Sequence, residues 1–221
     1  MSEAERERVE SAISLYTNFS LFFYDWWALR YNCSFLWRCP SRNLLNLYNS
    51  FISNNHLDIG VGTGYFMDKC KFSSSHPDIT LMDLNPNSLE TARKRLSRYD
   101  PKVYTGNALE EFKVNDQLFD SVGMMNLLHC LPGDMHTKDL VFENADKVLN
   151  KGGVIFGSTI LYKGVKCNPV TTAVLEWTNK KGLMTNLNDD VDVLRGNLER
   201  RFMESGIEII GCMALFWGRK S

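Results

Sequence analysis

The chain has 221 residues, a formal net charge of −1, 44% hydrophobic and 23% charged residues. Such a balance fits one globular domain with a full core and argues against the basic face of a nucleic-acid binder. The six cysteines include no C-x-x-C pair, which argues against a zinc or thioredoxin-like site and for reduced thiols in the cytoplasm.

The start, "MSEAERERVE", is charged where a signal peptide would be apolar. Residues 3 to about 35 read as helical, with Val9, Ala12, Leu15, Tyr16 and Phe19 at helical spacing. The aromatic run "LFFYDWWAL" is too short to span a bilayer and is broken by Asp25, so no membrane contact is expected. After Pro40, "SRNLLNLYNSFI" predicts a helix with Ser41 as N-cap.

From there strands and helices alternate. Strands are predicted at His56–Gly60, Ile79–Leu84, around Val103 and Tyr104, at Phe119–Met125 and in "GGVIFGST". A short helix follows the first strand and runs through Cys70. Asn85 reads as an N-cap with Pro86 at the first helical position, and Leu89, Ala92 and Leu96 form that helix's buried face. A further helix, from about Asp134 to Leu149, carries Leu140, Val141, Ala145 and Val148. Helices near 169–181 and 190–204 precede "IEIIG" and "MALFWGR", two strands too close for a crossover, which must pair antiparallel. The expected fold is α/β: a doubly wound, mostly parallel, seven-stranded sheet with an antiparallel edge hairpin. The expected division is a single domain, 1–221, with a helical N-terminal cap over 1–52 and an α/β core over 53–221.

Between the first strand and its helix lies "LDIGVGTGYFMD", with Gly60, Gly62 and Gly64 at alternate positions. Glycines there allow unusual dihedrals and let a ligand pack on bare main chain. A dinucleotide fingerprint would place its third glycine at position 65, which is Tyr65. With Asp58 before it, the turn suits a cationic ligand that lacks phosphates. Asp83 ends the second strand, where a carboxylate can accept both hydroxyls of a ribose. Asn107 and Ala108 follow the third strand, where a side-chain carbonyl and a backbone group can address adenine. An amino-acid end, a ribose and an adenine without phosphate describe S-adenosylmethionine.

The segments "LDIGVGTG", "LMDLNP", "GNALEEF", "FDSVGMMNLLHCLPG" and "KGGVIFGST", with the final strand pair, resemble the class I S-adenosylmethionine-dependent methyltransferases, in order, over roughly residues 55–220. The family often has Asp where this chain has Asn107. The resemblance implies that Asp58 and the Gly60–Gly64 turn hold the methionine moiety, Asp83 the ribose, and Asn107 with Ala108 the adenine. Asn126 and Leu127 would border the methyl group. "YDWW" and "WRCP" also look like small stand-alone bacterial and fungal members of the family. On that resemblance the N-terminal segment becomes a lid, with Tyr16 and Tyr24 lining the pocket. Trp177 and Met184 become candidates for substrate contact. His129 is a candidate general base, since an imidazole titrates near neutrality; its bland alternative is an ordinary histidine at a strand–helix junction.

The expected reaction is methyl transfer to an oxygen or nitrogen of a small secondary metabolite, leaving S-adenosylhomocysteine, with no metal. The alternatives are a protein or nucleic-acid methyltransferase and a non-catalytic S-adenosylmethionine-binding module. The sequence leaves monomer and homodimer open.

Overall fold

The computed structural model describes residues 35–221. The helical reading of residues 3 to about 35, with Tyr16 and Tyr24, lies outside the described residues.

Seven strands form one sheet: β1 (Asn55–Ile59), β2 (Asp78–Asp83), β3 (Lys102–Thr105), β4 (Phe119–Met125), β5 (Leu149–Ile160), β6 (Glu204–Ile210) and β7 (Met213–Arg219). Their order is β3-β2-β1-β4-β5-β7-β6. The first five pair in parallel, and β7 lies antiparallel to both β5 and β6. Strand order reverses between β1 and β4, which opens a crevice at their carboxyl ends.

The helices are α1 (Ser41–Phe51), α2 (Tyr65–Lys69), α3 (Pro86–Arg95), α4 (Asp139–Lys147), α5 (Pro169–Lys180) and α6 (Val191–Arg201). The sheet's two faces carry separate cores. Leu57 and Ile59 of β1 face the core that takes in Val141 and Phe142 of α4 and Leu194 and Leu198 of α6. The opposite core holds Leu44 and Tyr48 of α1, Met67 of α2, Leu89 and Ala92 of α3, and Leu175 of α5. Strand side chains alternate between faces, so His56 and Asp58 point to the α1 side.

Three expectations are corrected. Ser41 does not cap α1; Pro40, with φ −54° and ψ 138°, holds the N-cap position, and no side-chain cap bond forms. Asp134 does not begin α4. It caps a preceding turn, its Oδ1 accepting from the Thr137 N–H at 3.0 Å, and the α-helix starts at Asp139. Leu140 is exposed, because the buried stripe of α4 runs through Val141, Phe142, Asn144 and Ala145. The Asn85 cap is present: its side chain accepts from the Asn87 N–H at 2.9 Å, with Pro86 opening α3.

Candidate active site

The turn after β1 is left-handed at each glycine, with φ of +66°, +54° and +73° at Gly60, Gly62 and Gly64. The three have different reasons to lack a side chain. A Cβ on Gly60 would stand 2.6 Å from Leu127 Cδ1, and one on Gly64 would stand 3.2 Å from Ala92 Cβ. Gly62 alone would meet nothing within 4 Å. Two glycines therefore serve packing, and the middle one leaves main chain facing open space.

Asp83 lies beside it at the end of β2. Its Oδ2 accepts from the Gly62 N–H at 3.2 Å and its Oδ1 from the Asn85 N–H at 2.8 Å. A carboxylate has about four acceptor positions, so Asp83 keeps acceptor capacity for a ligand beyond these two bonds. Burial pushes Asp83 up to about 6, opposed by the backbone N–H groups of Asn85 and Gly62. From α3, Arg95 Nη1 donates to Thr63 Oγ1 at 2.9 Å and ties the turn to that helix.

Asp58 is buried, and its Oδ2 accepts from the Tyr48 hydroxyl. His56 Nε2 lies 3.1 Å from that hydroxyl and 3.6 Å from Asp58 Oδ2. Its Nδ1 lies 2.7 Å from Ser121 Oγ on β4. Gly123, paired with Asp58 across the sheet, makes room: a Cβ there would stand 3.1 Å from His56 Cε1. Sequence reasoning missed Tyr48, His56 and Ser121. The available signal was period-two spacing of His56 and Asp58 on one face of β1, with Tyr48 four residues after Leu44 on the buried stripe of α1.

Asn107 closes a turn, its Oδ1 accepting from the Leu109 N–H at 3.0 Å and its Nδ2 donating to Glu110 at 3.2 Å. Ala108 is buried against the core of the α4 face. Asn126 follows β4 directly with φ +56°, a conformation that Asn tolerates better than most residues. Its N–H donates to the Ser158 carbonyl at 2.9 Å, and its Oδ1 accepts from Ser158 Oγ at 2.9 Å. The chain thus turns so that Leu127 seals the turn at Gly60.

His129 is buried in the 3₁₀ turn Leu128–Cys130. Its Nδ1 accepts from the Ile160 N–H at 3.3 Å. Burial, with the Lys138 cation as the lesser cause, brings its pKa down to about 3. Trp177 is 54% exposed and lines an apolar groove of about 440 Å³ with Pro169, Val170, Ala173 and Val174. Met184 lines a separate cleft of about 660 Å³ that includes Asp134, Glu176 and Asn188. The two substrate candidates are not brought together. No group of His, Cys, Asp and Glu suited to a metal ion occurs among the described residues.

A family model described as a methyltransferase domain matches residues 57–155. The demethylluteothin O-methyltransferase of Streptomyces thioluteus is 36% identical over 201 residues, covering 91% of this chain and 87% of that protein. The chain belongs to the S-adenosylmethionine-dependent methyltransferases. A physcion biosynthesis cluster O-methyltransferase of Aspergillus chevalieri is 37% identical over 213 residues, covering 96% of each chain. Among solved structures, the N-methyltransferase NodS of Bradyrhizobium japonicum WM9 bound to S-adenosyl-L-homocysteine shares the fold, with TM-score 0.57, 19% identity and coverage of 81% and 84%. The methyltransferase's cofactor is S-adenosylmethionine, and the open main chain at Gly62 beside the Asp83 carboxylate fits it. Asp58, one residue before the end of β1, and Asp83, at the end of the adjacent β2, put two carboxylates near one another, and the raised pKa of Asp83 includes a contribution from Asp58.

Proposed function

We propose that this methyltransferase methylates an oxygen of a small secondary metabolite. The observation that carries the cofactor half of this reading is Gly62, bare, left-handed and hydrogen-bonded to Asp83. The acceptor half is supported by two relatives above 35% identity that are named O-methyltransferases.

When bound, the cofactor supplies an electrophilic methyl on a sulfonium. The chain's own work is then alignment and exclusion of water. The Asp83 oxygens accept from the ribose hydroxyls. Asp58 and the Gly60–Gly64 turn receive the methionine moiety, and Asn107 with Ala108 borders the adenine. Leu127, packed on Gly60, closes the floor between turn and acceptor.

His129 is read as a neutral fixture, not a base. Nδ1 uses its lone pair to accept from Ile160, so the ring proton sits on Nε2 and neither nitrogen of the buried ring is left to take up a proton. Among the described residues no helix is long and apolar enough to cross a membrane. The five described cysteines are unpaired, which supports a cytoplasmic setting.

The test uses purified protein, methyl-labelled S-adenosylmethionine and matched pairs of small phenols and anilines. Label is expected in O-methyl products. Transfer confined to the amines would overturn the acceptor assignment, and unlabelled small molecules beside a labelled RNA or protein would overturn the substrate class.

A further inference from the structure

Parallel strands at the centre of a sheet are normally apolar on both faces. Here His56, Asp58 and Ser121 place three polar side chains side by side on β1 and β4, all buried. Tyr48, fully buried on α1, covers them. Buried polar groups carry a desolvation cost unless their partners are fixed, and every member of this cluster has one.

The order of donors can be read from the contacts. Tyr48 has one hydroxyl proton and gives it to Asp58 Oδ2. The contact between His56 Nε2 and the Tyr48 oxygen at 3.1 Å must then be made by the ring N–H. Ser121 holds the other ring nitrogen at 2.7 Å and in turn accepts from the Ser53 N–H at 2.9 Å. The imidazole is also clamped by aromatic rings, stacked on Phe156 at 5.7 Å and edge-on to Tyr48 at 5.7 Å. Burial and the Asp58 charge drive the Tyr48 hydroxyl well above its ordinary pKa, so it stays a donor. The chain of contacts ends on one oxygen of one carboxylate, one residue before Ile59 and the glycine turn.

We infer that Tyr48 and His56 are positioning residues for cofactor recognition: they hold Asp58 Oδ2 toward α1 and thereby fix the orientation of the carboxylate presented to the amino-acid end of S-adenosylmethionine. The inference rests on the assignment of Asp58 to that end of the cofactor. Neither residue touches the cofactor; both act through Asp58. A helix outside the nucleotide-binding strands thus sets the geometry of the binding carboxylate.

Two ligands separate this role from mere support of the fold. S-adenosylhomocysteine carries the amino-acid end, and 5′-methylthioadenosine lacks it. Calorimetric titration of Tyr48→Phe, which keeps the ring packing, is expected to weaken S-adenosylhomocysteine about tenfold, the scale of one hydrogen bond to a charged group, and to leave 5′-methylthioadenosine within about twofold. In an Asp58→Asn background the same substitution is expected to add little, because its route is gone. Equal loss for both ligands, or no loss for either, overturns the positioning role. Asp58→Asn by itself tests the reading beneath: if it affects both ligands alike, Asp58 does not serve the amino-acid end. Should Tyr48→Phe fail to fold, Ser121→Ala loosens His56 from the far side and is expected to show the same selectivity at about threefold. Wild-type affinities in that variant overturn the chain of contacts.

Discussion

Gly62 and Gly60 sit two positions apart in one turn, both left-handed, yet an added methyl should do different things at each. At Gly60 it would stand 2.6 Å from the tip of the Leu127 side chain, which must shift, and at Gly64 it would press on Ala92 at 3.2 Å; both substitutions should destabilise the protein, the left-handed backbone and the crowding together costing roughly 1–3 kcal/mol. At Gly62 a methyl meets nothing, so the loss is confined to the left-handed backbone, roughly 1–2 kcal/mol. The methyl would, however, enter the space assigned to the cofactor. Gly62→Ala is therefore expected to keep most of its thermal stability and lose tenfold or more in S-adenosylhomocysteine affinity, whereas Gly60→Ala loses stability first. Melting curves with and without ligand separate the two, and a Gly62→Ala variant with wild-type affinity would remove that main chain from the site. The sequence shows three equivalent glycines. Which of them faces a ligand depends on Leu127 and on α3, and neither contact is visible in the local string.

Among elements, two loops are joined by a buried ion pair. Lys138, just before α4, places Nζ 2.6 Å from Asp189 Oδ2 and 2.8 Å from the Thr185 carbonyl, and both charged side chains are fully buried. The Thr185 N–H donates to the His129 carbonyl at 2.9 Å. The segment between α5 and α6 is thus pinned to the turn after β4. Burial lowers Lys138 from its ordinary value and raises Asp189 to about 6 despite the attraction between them. Breaking such a pair from one side leaves a buried charge alone, at a cost of about 3–5 kcal/mol, while replacing both partners by apolar groups is often neutral. Lys138→Met should therefore lower the urea midpoint sharply, and Lys138→Met with Asp189→Leu should restore most of it. A single variant as stable as wild type would show the pair to be idle. Strand–helix alternation, the Asn85 cap and the closing hairpin were readable because periodicity and cap chemistry are local. The ion pair was not: its partners are 51 positions apart, and in the sequence each looks like a surface charge. Tyr48 hides in the same way, an aromatic on a buried stripe that reads as ordinary core.

Across the whole molecule, two buried groups make stability depend on pH with opposing signs. Asp83 titrates near 6 in the folded chain against an ordinary 3.8. The folded state takes up its proton first, so it adds stability as pH falls through 6. His129 titrates near 3 against an ordinary 6.5. The unfolded state takes up that proton first, so stability is lost as pH falls below 6.5. The carboxylates of Asp68, Glu90, Asp134 and Glu143 are lowered from ordinary values of 3.8–4.5 and contribute change only below that range. Between pH 7 and 5 the melting temperature of the free protein should therefore be nearly level. His129→Gln should make it rise on acidification, and Asp83→Asn should make it fall. Cofactor affinity has no such compensation. Asp83 is the assigned ribose acceptor, and protonation removes one of its acceptor positions, so S-adenosylhomocysteine affinity should drop below about pH 6, by up to tenfold per unit of pH where only the ionised form binds. The drop falls in a window where the fold itself holds steady, so calorimetry there reads binding and not unfolding. A pH-independent affinity from 7 to 5 would detach Asp83 from the ribose, whatever the melting curves show.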